Sequence, residues 1–114
     1  MRIAVFIKRT HFHKNHGGLE TQNKVLCEEL VNRGHQVTIF TPRLDFEGEV
    51  SEKNGVHYVF INSDYKHYLL AKFNKNSWTQ KSVEVFSEYH KKENFDFVIS
   101  QSSAAEGIII NKNI

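Results

Sequence analysis

Apolar and polar positions change period several times along this chain, and each change marks an element. Ile3 to Ile7 is a continuous apolar run, as expected of a strand covered on both faces. From Leu19 the period becomes helical. Leu19, Leu26, Cys27, Leu30 and Val31 share one face, and Gln22, Lys24, Glu28, Glu29, Asn32 and Arg33 take the other. Gly34 stands where a C-cap belongs, because glycine accepts the left-handed conformation without a Cβ clash. Val37 to Thr41 reads as a second strand, stopped by Pro42. Arg43 to Asn54 is polar and acidic, with Gly48 and Gly55 as turn points, and reads as a loop. In Val56 to Asn62, a third strand, Val56, Tyr58 and Phe60 alternate with His57, Val59 and Ile61. Asp64 to Asn76 holds at most a short helix on Tyr68, Leu69 and Phe73. Ser77 and Gln80 form an S-x-x-Q capping box for a firmer helix, with Trp78, Ser82, Val85, Phe86 and Tyr89 at helical spacing. Phe97 to Ser100 is a fourth strand. Ser103 and Glu106 repeat the capping signal, predicting a third helix with Ile108 to Ile110 in its middle.

This alternation predicts an α/β fold: a Rossmann-like open parallel sheet with helices on both faces. Its strands are expected near residues 2–8, 36–41, 56–62 and 96–100, in the order 3-2-1-4, from right-handed crossovers and the reversal beside the first strand. The sequence stops at Ile114, about where a next turn and strand are expected, so the sheet is expected to be cut short on its C-terminal side. At 114 residues there is room for one domain at most.

Composition narrows the function classes. Apolar content of 39% with 25% charged residues is that of an ordinary globular chain, and a net charge of +2 is too slight to argue for nucleic acid. The single Cys excludes an internal disulfide and fits a reducing cytoplasm. The opening MRIAVFIK is too short for a signal peptide's apolar core. No run approaches the ~18 apolar residues that a membrane span needs.

The candidate chemistry begins at Gly17-Gly18, between the first strand and the first helix. Two glycines there let a phosphate or sugar approach backbone donors and the positive end of the helix dipole; the alternative is a tight turn that merely connects the two elements. A dinucleotide fingerprint is not met, since the third glycine is missing and the second strand ends in Thr41-Pro42-Arg43 without an acidic ribose ligand. Nor is a P-loop, as no Gly-Lys-Ser/Thr follows. His11, His13 and His16 lie close together, but no second cluster supplies further metal ligands, and a polar loop facing the cleft is the favoured reading. Cys27, between Leu26 and Leu30, reads as buried core and not as a nucleophile. The segment Tyr65 to Lys81 interleaves aromatics with Lys66, Lys72, Lys75 and Lys81. That pattern suits a membrane surface, and equally a helix packed on the sheet with its lysines in water, which is favoured.

One family resemblance gathers these features. Gly17-Gly18-Leu19-Glu20, then Leu30, then Arg33-Gly34-His35-Gln36-Val37-Thr38-Ile39-Phe40-Thr41-Pro42, resembles the N-terminal domain of glycosyltransferase family 4. The resemblance covers most of the chain. It implies the GT-B architecture, in which two Rossmann-like halves close around a nucleotide sugar without a catalytic metal or other cofactor. Residues 1–114 are then expected to form part of the acceptor-side half, with the donor-binding half outside them. Gly17 and Gly18 would approach the donor diphosphate or the transferred sugar, with Glu20 at the helix start where the dipole favours a carboxylate. Many relatives place a histidine after the fourth strand, facing the acceptor; aligned by Asp96, that position is Gln101. Glutamine can hydrogen-bond a sugar hydroxyl but cannot act as a general base, so positioning is the role left to it. Gln101, Ser102 and His16 are therefore the candidate acceptor contacts, with no catalytic residue and no metal. Glu28, which makes E-x7-E with Glu20, reads as solvated helix surface, since the family's own copy of that motif lies in the other half. The partners implied are a nucleotide sugar and a saccharide or lipid-linked acceptor. Further expectations are a cytoplasmic location with weak peripheral contact at the inner face of the membrane, and self-association through the exposed sheet edge. The runner-up is a free-standing α/β ligand- or protein-binding module of the receiver type, disfavoured because Lys8-Arg9 stand where such domains carry carboxylates.

Overall fold

The computed structural model describes residues 1–7, 18–43, 50–62 and 77–101, with 104, 105 and 108. Its elements are β1 (Arg2–Phe6), α1 (Gly18–Asn32), β2 (Gln36–Pro42), β3 (Val50–Lys53), β4 (Val56–Ile61), α2 (Trp78–Lys92) and β5 (Phe97–Ser100). The strands form one sheet in the order β3-β4-β2-β1-β5. β1 lies between β2 and β5, and β2 between β1 and β4, all of these pairs being parallel. The expected order of four parallel strands, with the first in the interior, is therefore present as β4-β2-β1-β5.

One element corrects the sequence reading. Val50–Lys53, placed in a loop by its polarity, is a fifth strand antiparallel to β4, with Lys53 opposite Val56. The connection is the two residues Asn54 and Gly55, both at positive φ (53° and 82°). That is the mirror-image turn whose twist matches a hairpin, and Asn-Gly is its strongest sequence signal. β3 is an edge strand, so its exposed polar face carries no apolar alternation to betray it. Glu52 meets His57 across the pair at 3.5 Å.

Among the described residues α1 covers one face of the sheet and α2 the other. Ile3, Val5, Ile7, Val37, Ile39, Val56, Tyr58 and Phe60 pack under α1 with Cys27, Leu30 and Val31. Ala4, Phe6, Phe40, Val59 and Ile61 pack on the other face with Trp78, Phe86, Phe95, Ala104 and Ala105. The second face is aromatic: Phe40 stacks on Phe6 at 5.0 Å between centroids and meets Phe86, Tyr89 and Phe95 edge-on.

The helix ends follow their sequence signals. Gly34, at φ +94°, closes α1 in a Schellman motif: its N–H donates to the Val31 carbonyl and that of His35 to the Leu30 carbonyl. Ser77 caps α2, its hydroxyl accepting from the Gln80 N–H at 3.2 Å, and His90, Lys91 and Lys92 occupy the last turn where the dipole favours cations. The third helix expected from Ser103 lies largely outside the described residues; Ile108 is helical. The helix weighed for 64–76 is also outside them. Among the described residues no helix is long and apolar enough to cross a membrane.

Two positions on α1 differ from expectation. Leu26, assigned to the apolar face, is 45% exposed. At 100° per residue the sheet-facing stripe centres on positions 23, 27, 30 and 31, and Leu26 falls on its flank. Glu28, read as solvated surface, accepts a hydrogen bond from Asn54 Nδ2 at 3.1 Å and pairs with Lys24, tying the helix to the β3–β4 turn.

Candidate functional site

In an open parallel sheet the strands' carboxyl ends converge on the place where ligands bind, beside the strand at which the order reverses. Here that is β1, with β2 on one side and β5 on the other. α1 begins at the same end, at Gly18, and runs back over the sheet. Gly18 thus opens a helix at the reversal point. Gly17, His16 and Ser102 lie outside the described residues, as do His11 and His13.

Gln101 is described, and its main chain is well held. Its N–H donates to the Phe6 carbonyl at 2.9 Å, extending the β1–β5 ladder one step beyond β5, and its carbonyl accepts from Ala104 N–H at 3.3 Å. Ser100 Oγ accepts from the Ala105 N–H at 3.0 Å, so the turn leaving β5 is closed by a side chain as well. The Gln101 carboxamide reaches across to α1, where Nε2 donates to Asn23 Oδ1 at 3.3 Å.

Asn23 escaped the sequence reading. It is buried, on the stripe of α1 that faces the sheet, four residues before Cys27 and seven before Leu30. The available signal was a carboxamide at an apolar helical period, since a buried amide requires a partner. Cys27 is buried as expected, and its thiol lies 3.9 Å from the same Asn23 oxygen. Burial, assisted by the neighbouring Glu28 charge, pushes that thiol up to about 12, so it is a neutral S–H and no nucleophile.

A cavity of about 460 Å³ opens at the opposite end of the sheet, bordered by Arg2, Gln36, Thr38, His57, Tyr89 and Glu93. Arg2 there is engaged by Glu93 and lies 4.3 Å from the centre of the Phe95 ring. The cavity lies away from the strands' carboxyl ends and lacks Gly18 and Gln101 among its lining residues. Of the segment Tyr65–Lys81, residues 77–81 are described: Trp78 is buried, its indole N–H donating to the Ala104 carbonyl at 2.7 Å, and Lys81 pairs with Glu84.

The comparisons with known proteins address this architecture. The family model described as Glycosyltransferase Family 4 matches residues 16–111, from the glycine turn to beyond β5. This chain belongs to glycosyltransferase family 4. Sucrose-phosphate synthase from Thermosynechococcus elongatus has a similar structure, with a TM-score of 0.67 and 19% identity over 87% of this chain and 26% of that one. A second structure of that synthase matches with a TM-score of 0.56 and 19% identity, over 88% of this chain and 50% of that one. At such identity the likeness is one of fold, and the family-4 chain spans about a quarter and a half of those two structures. The search of curated proteins returned no significant match.

Proposed function

We propose that these 114 residues form the acceptor-side wall of a glycosyltransferase that moves a sugar from a nucleotide sugar to a saccharide or lipid-linked acceptor. The observation that carries the reading is Gln101, held at the carboxyl end of β5 beside the reversal point of a family-4 fold. A carboxamide there can hold a sugar hydroxyl in place but cannot take its proton. Gly17 and Gly18 are the donor-side elements of the proposal, where a diphosphate or the transferred sugar comes close to the start of α1. His16 and Ser102 complete the acceptor contacts. No metal has a part in it, and the donor's remaining contacts are assigned to the second Rossmann-like half of the architecture.

Rate enhancement requires donor and acceptor held in line and the leaving diphosphate's charge stabilised. One wall of the cleft supplies neither in full. The purified 114-residue chain is therefore expected to bind nucleotide sugars weakly or undetectably and to show no turnover. Incubation with a panel of nucleotide sugars and acceptors, assayed for glycoside product, tests this. Sustained product formation that disappears in Gly18→Val would show that these residues alone are a complete catalyst. Binding of a protein partner, with no response to any sugar or nucleotide sugar, would favour a non-catalytic binding module.

A further inference from the structure

Asn23 gives the acceptor-side reading a second residue, and the inference rests on that reading. Its side chain is 3% exposed on the sheet-facing stripe of α1, where a carboxamide must be satisfied from within the protein. Two donors converge on its Oδ1: Gln101 Nε2 at 3.3 Å and the Cys27 thiol at 3.9 Å. The thiol fixes the sense of this arrangement. Its proton stays on far above neutral pH, so it is a steady, if weak, donor, and the Asn23 oxygen faces it. Gln101 must then present its NH2 group to Asn23, not its carbonyl. With the backbone N–H on Phe6, the backbone carbonyl on Ala104 and Nε2 on Asn23, Oε1 is the one polar atom of Gln101 that none of these bonds uses.

We propose that Asn23 is a positioning residue which, by holding Gln101 Nε2, sets Gln101 Oε1 as a fixed hydrogen-bond acceptor for a saccharide hydroxyl at the carboxyl end of the sheet. The ligand group at this point must donate a hydrogen bond. A carboxamide turned the other way would present two donors there and select a carbonyl or an anion instead.

The experiment uses the 15N-labelled 114-residue chain, with its side-chain amide signals assigned from the Asn23 and Gln101 variants. In the unmodified chain one Gln101 amide hydrogen is expected to exchange with solvent markedly more slowly than its geminal partner. Methyl α-D-glucopyranoside, methyl α-D-mannopyranoside and N-acetylglucosamine are then titrated to high millimolar concentration. At least one is expected to shift the Gln101 signals. Asn23→Ala is expected to weaken that binding roughly fivefold, the worth of one hydrogen bond. Gln101→Ala should weaken it similarly, and the double variant no further than Gln101→Ala alone. Asn23→Asp, which keeps an oxygen acceptor toward Gln101, should recover most of the affinity. If no saccharide moves Gln101, the acceptor reading and the role of Asn23 both fall. If a saccharide moves Gln101 but Asn23→Ala binds it equally well, or the two losses simply add, the role of Asn23 falls while the acceptor reading stands. Equal, fast exchange of both Gln101 amide hydrogens in the unmodified chain also overturns the role, and is read without any binding measurement on a variant.

Discussion

The two ends of the sheet are built to different rules. At the amino ends of the parallel strands the connections are residues 33–35, 54–55 and 93–96, each fixed by a turn or a paired group. Gly34 closes the Schellman motif, Asn54 and Gly55 make the hairpin turn, and Arg2 and Asp96 bind each other reciprocally: Arg2 N–H to the Asp96 carboxylate at 2.8 Å and Asp96 N–H to the Arg2 carbonyl at 2.7 Å. At the carboxyl ends the connections span 7–17, 43–49 and 62–77. The described candidates of the proposed function, Gly18 and Gln101, belong to that second end. Short connections with fixed partners make the amino end the foundation. Long connections at the other end are where binding residues can vary without disturbing a sheet.

The largest expected effect strikes what both ends share. Phe40 is fully buried at the centre of the aromatic face, touching Phe6, Phe86, Tyr89 and Phe95. Phe40→Ala is expected to lower stability by about 3–5 kcal/mol, a large part of what a domain of this size has. Urea unfolding followed by circular dichroism measures it. A loss below about 1 kcal/mol would mean that the second face is not packed as described.

Next come the two glycines at the amino end, which separate strain from collision. At Gly55, φ is +82° and an added Cβ would stand 2.6 Å from Val31 Cγ1, so the Val31 side chain or the turn must shift. Gly55→Val is expected to lose roughly 2–3 kcal/mol. At Gly34, φ is +94° with nothing within 4 Å of an added Cβ, so Gly34→Ala meets strain alone and is expected to lose about 1 kcal/mol. Equal losses at the two sites would show that the hairpin turn and the helix are not in contact.

Alkaline pH tests the core under α1. Burial pushes the Cys27 thiol from its usual 9.0 up to about 12, and Tyr58 is raised too, first by burial and then by the charges of Cys27 and Glu28. A raised pKa means that the folded chain holds its proton where the unfolded chain has released it. That contribution is complete below the unfolded value and is lost as pH climbs from about 9 toward 12. The urea midpoint should therefore fall across that window, and at pH 8 a thiol reagent should label Cys27 only as fast as the chain opens. A rapidly labelled thiol in the folded protein would break the assignment of Cys27 to the core.

Residue by residue, the sequence exposed the framework more fully than the site. Apolar runs at Ile3–Ile7 and Val37–Phe40 give the interior strands because both faces are covered, and Ser77 and Gly34 mark helix ends through backbone groups that have few other ways to be satisfied. β3 stayed hidden because an edge strand has one exposed face and no apolar run, although Asn54-Gly55 announced its turn. Gln101 was legible as a position after a strand, but its partner was not. A hydrogen bond between residues 78 apart depends on how α1 seats on the sheet, which local pattern does not specify. Leu26 shows the same limit: a helical wheel locates a stripe, and the neighbouring strands decide where the stripe stops.

The smallest effect is expected where the carboxyl end itself is oddly built. Thr41, near the end of β2, is fully buried, and its hydroxyl finds no hydrogen-bond partner among the described residues. Thr41 shares a face with Ile39 and lies beside Phe60 of β4, on the same side of the sheet as α1. A hydroxyl taken from water and given no partner opposes folding, and replacing it by a methyl of the same shape removes that opposition. Thr41→Val is therefore expected to be neutral or to stabilise by up to about 1 kcal/mol. Ser82 supplies the control on the aromatic face: it is just as buried, but its hydroxyl donates to the Thr79 carbonyl at 3.2 Å. Ser82→Ala should lose about 1 kcal/mol, since it removes a hydrogen bond that is actually made. The contrast in sign between the two, read from paired urea curves, is the measurement. If Thr41→Val instead costs more than Ser82→Ala, the Thr41 hydroxyl is bonded in solution, and the carboxyl end of β2 is as fully satisfied as the amino end.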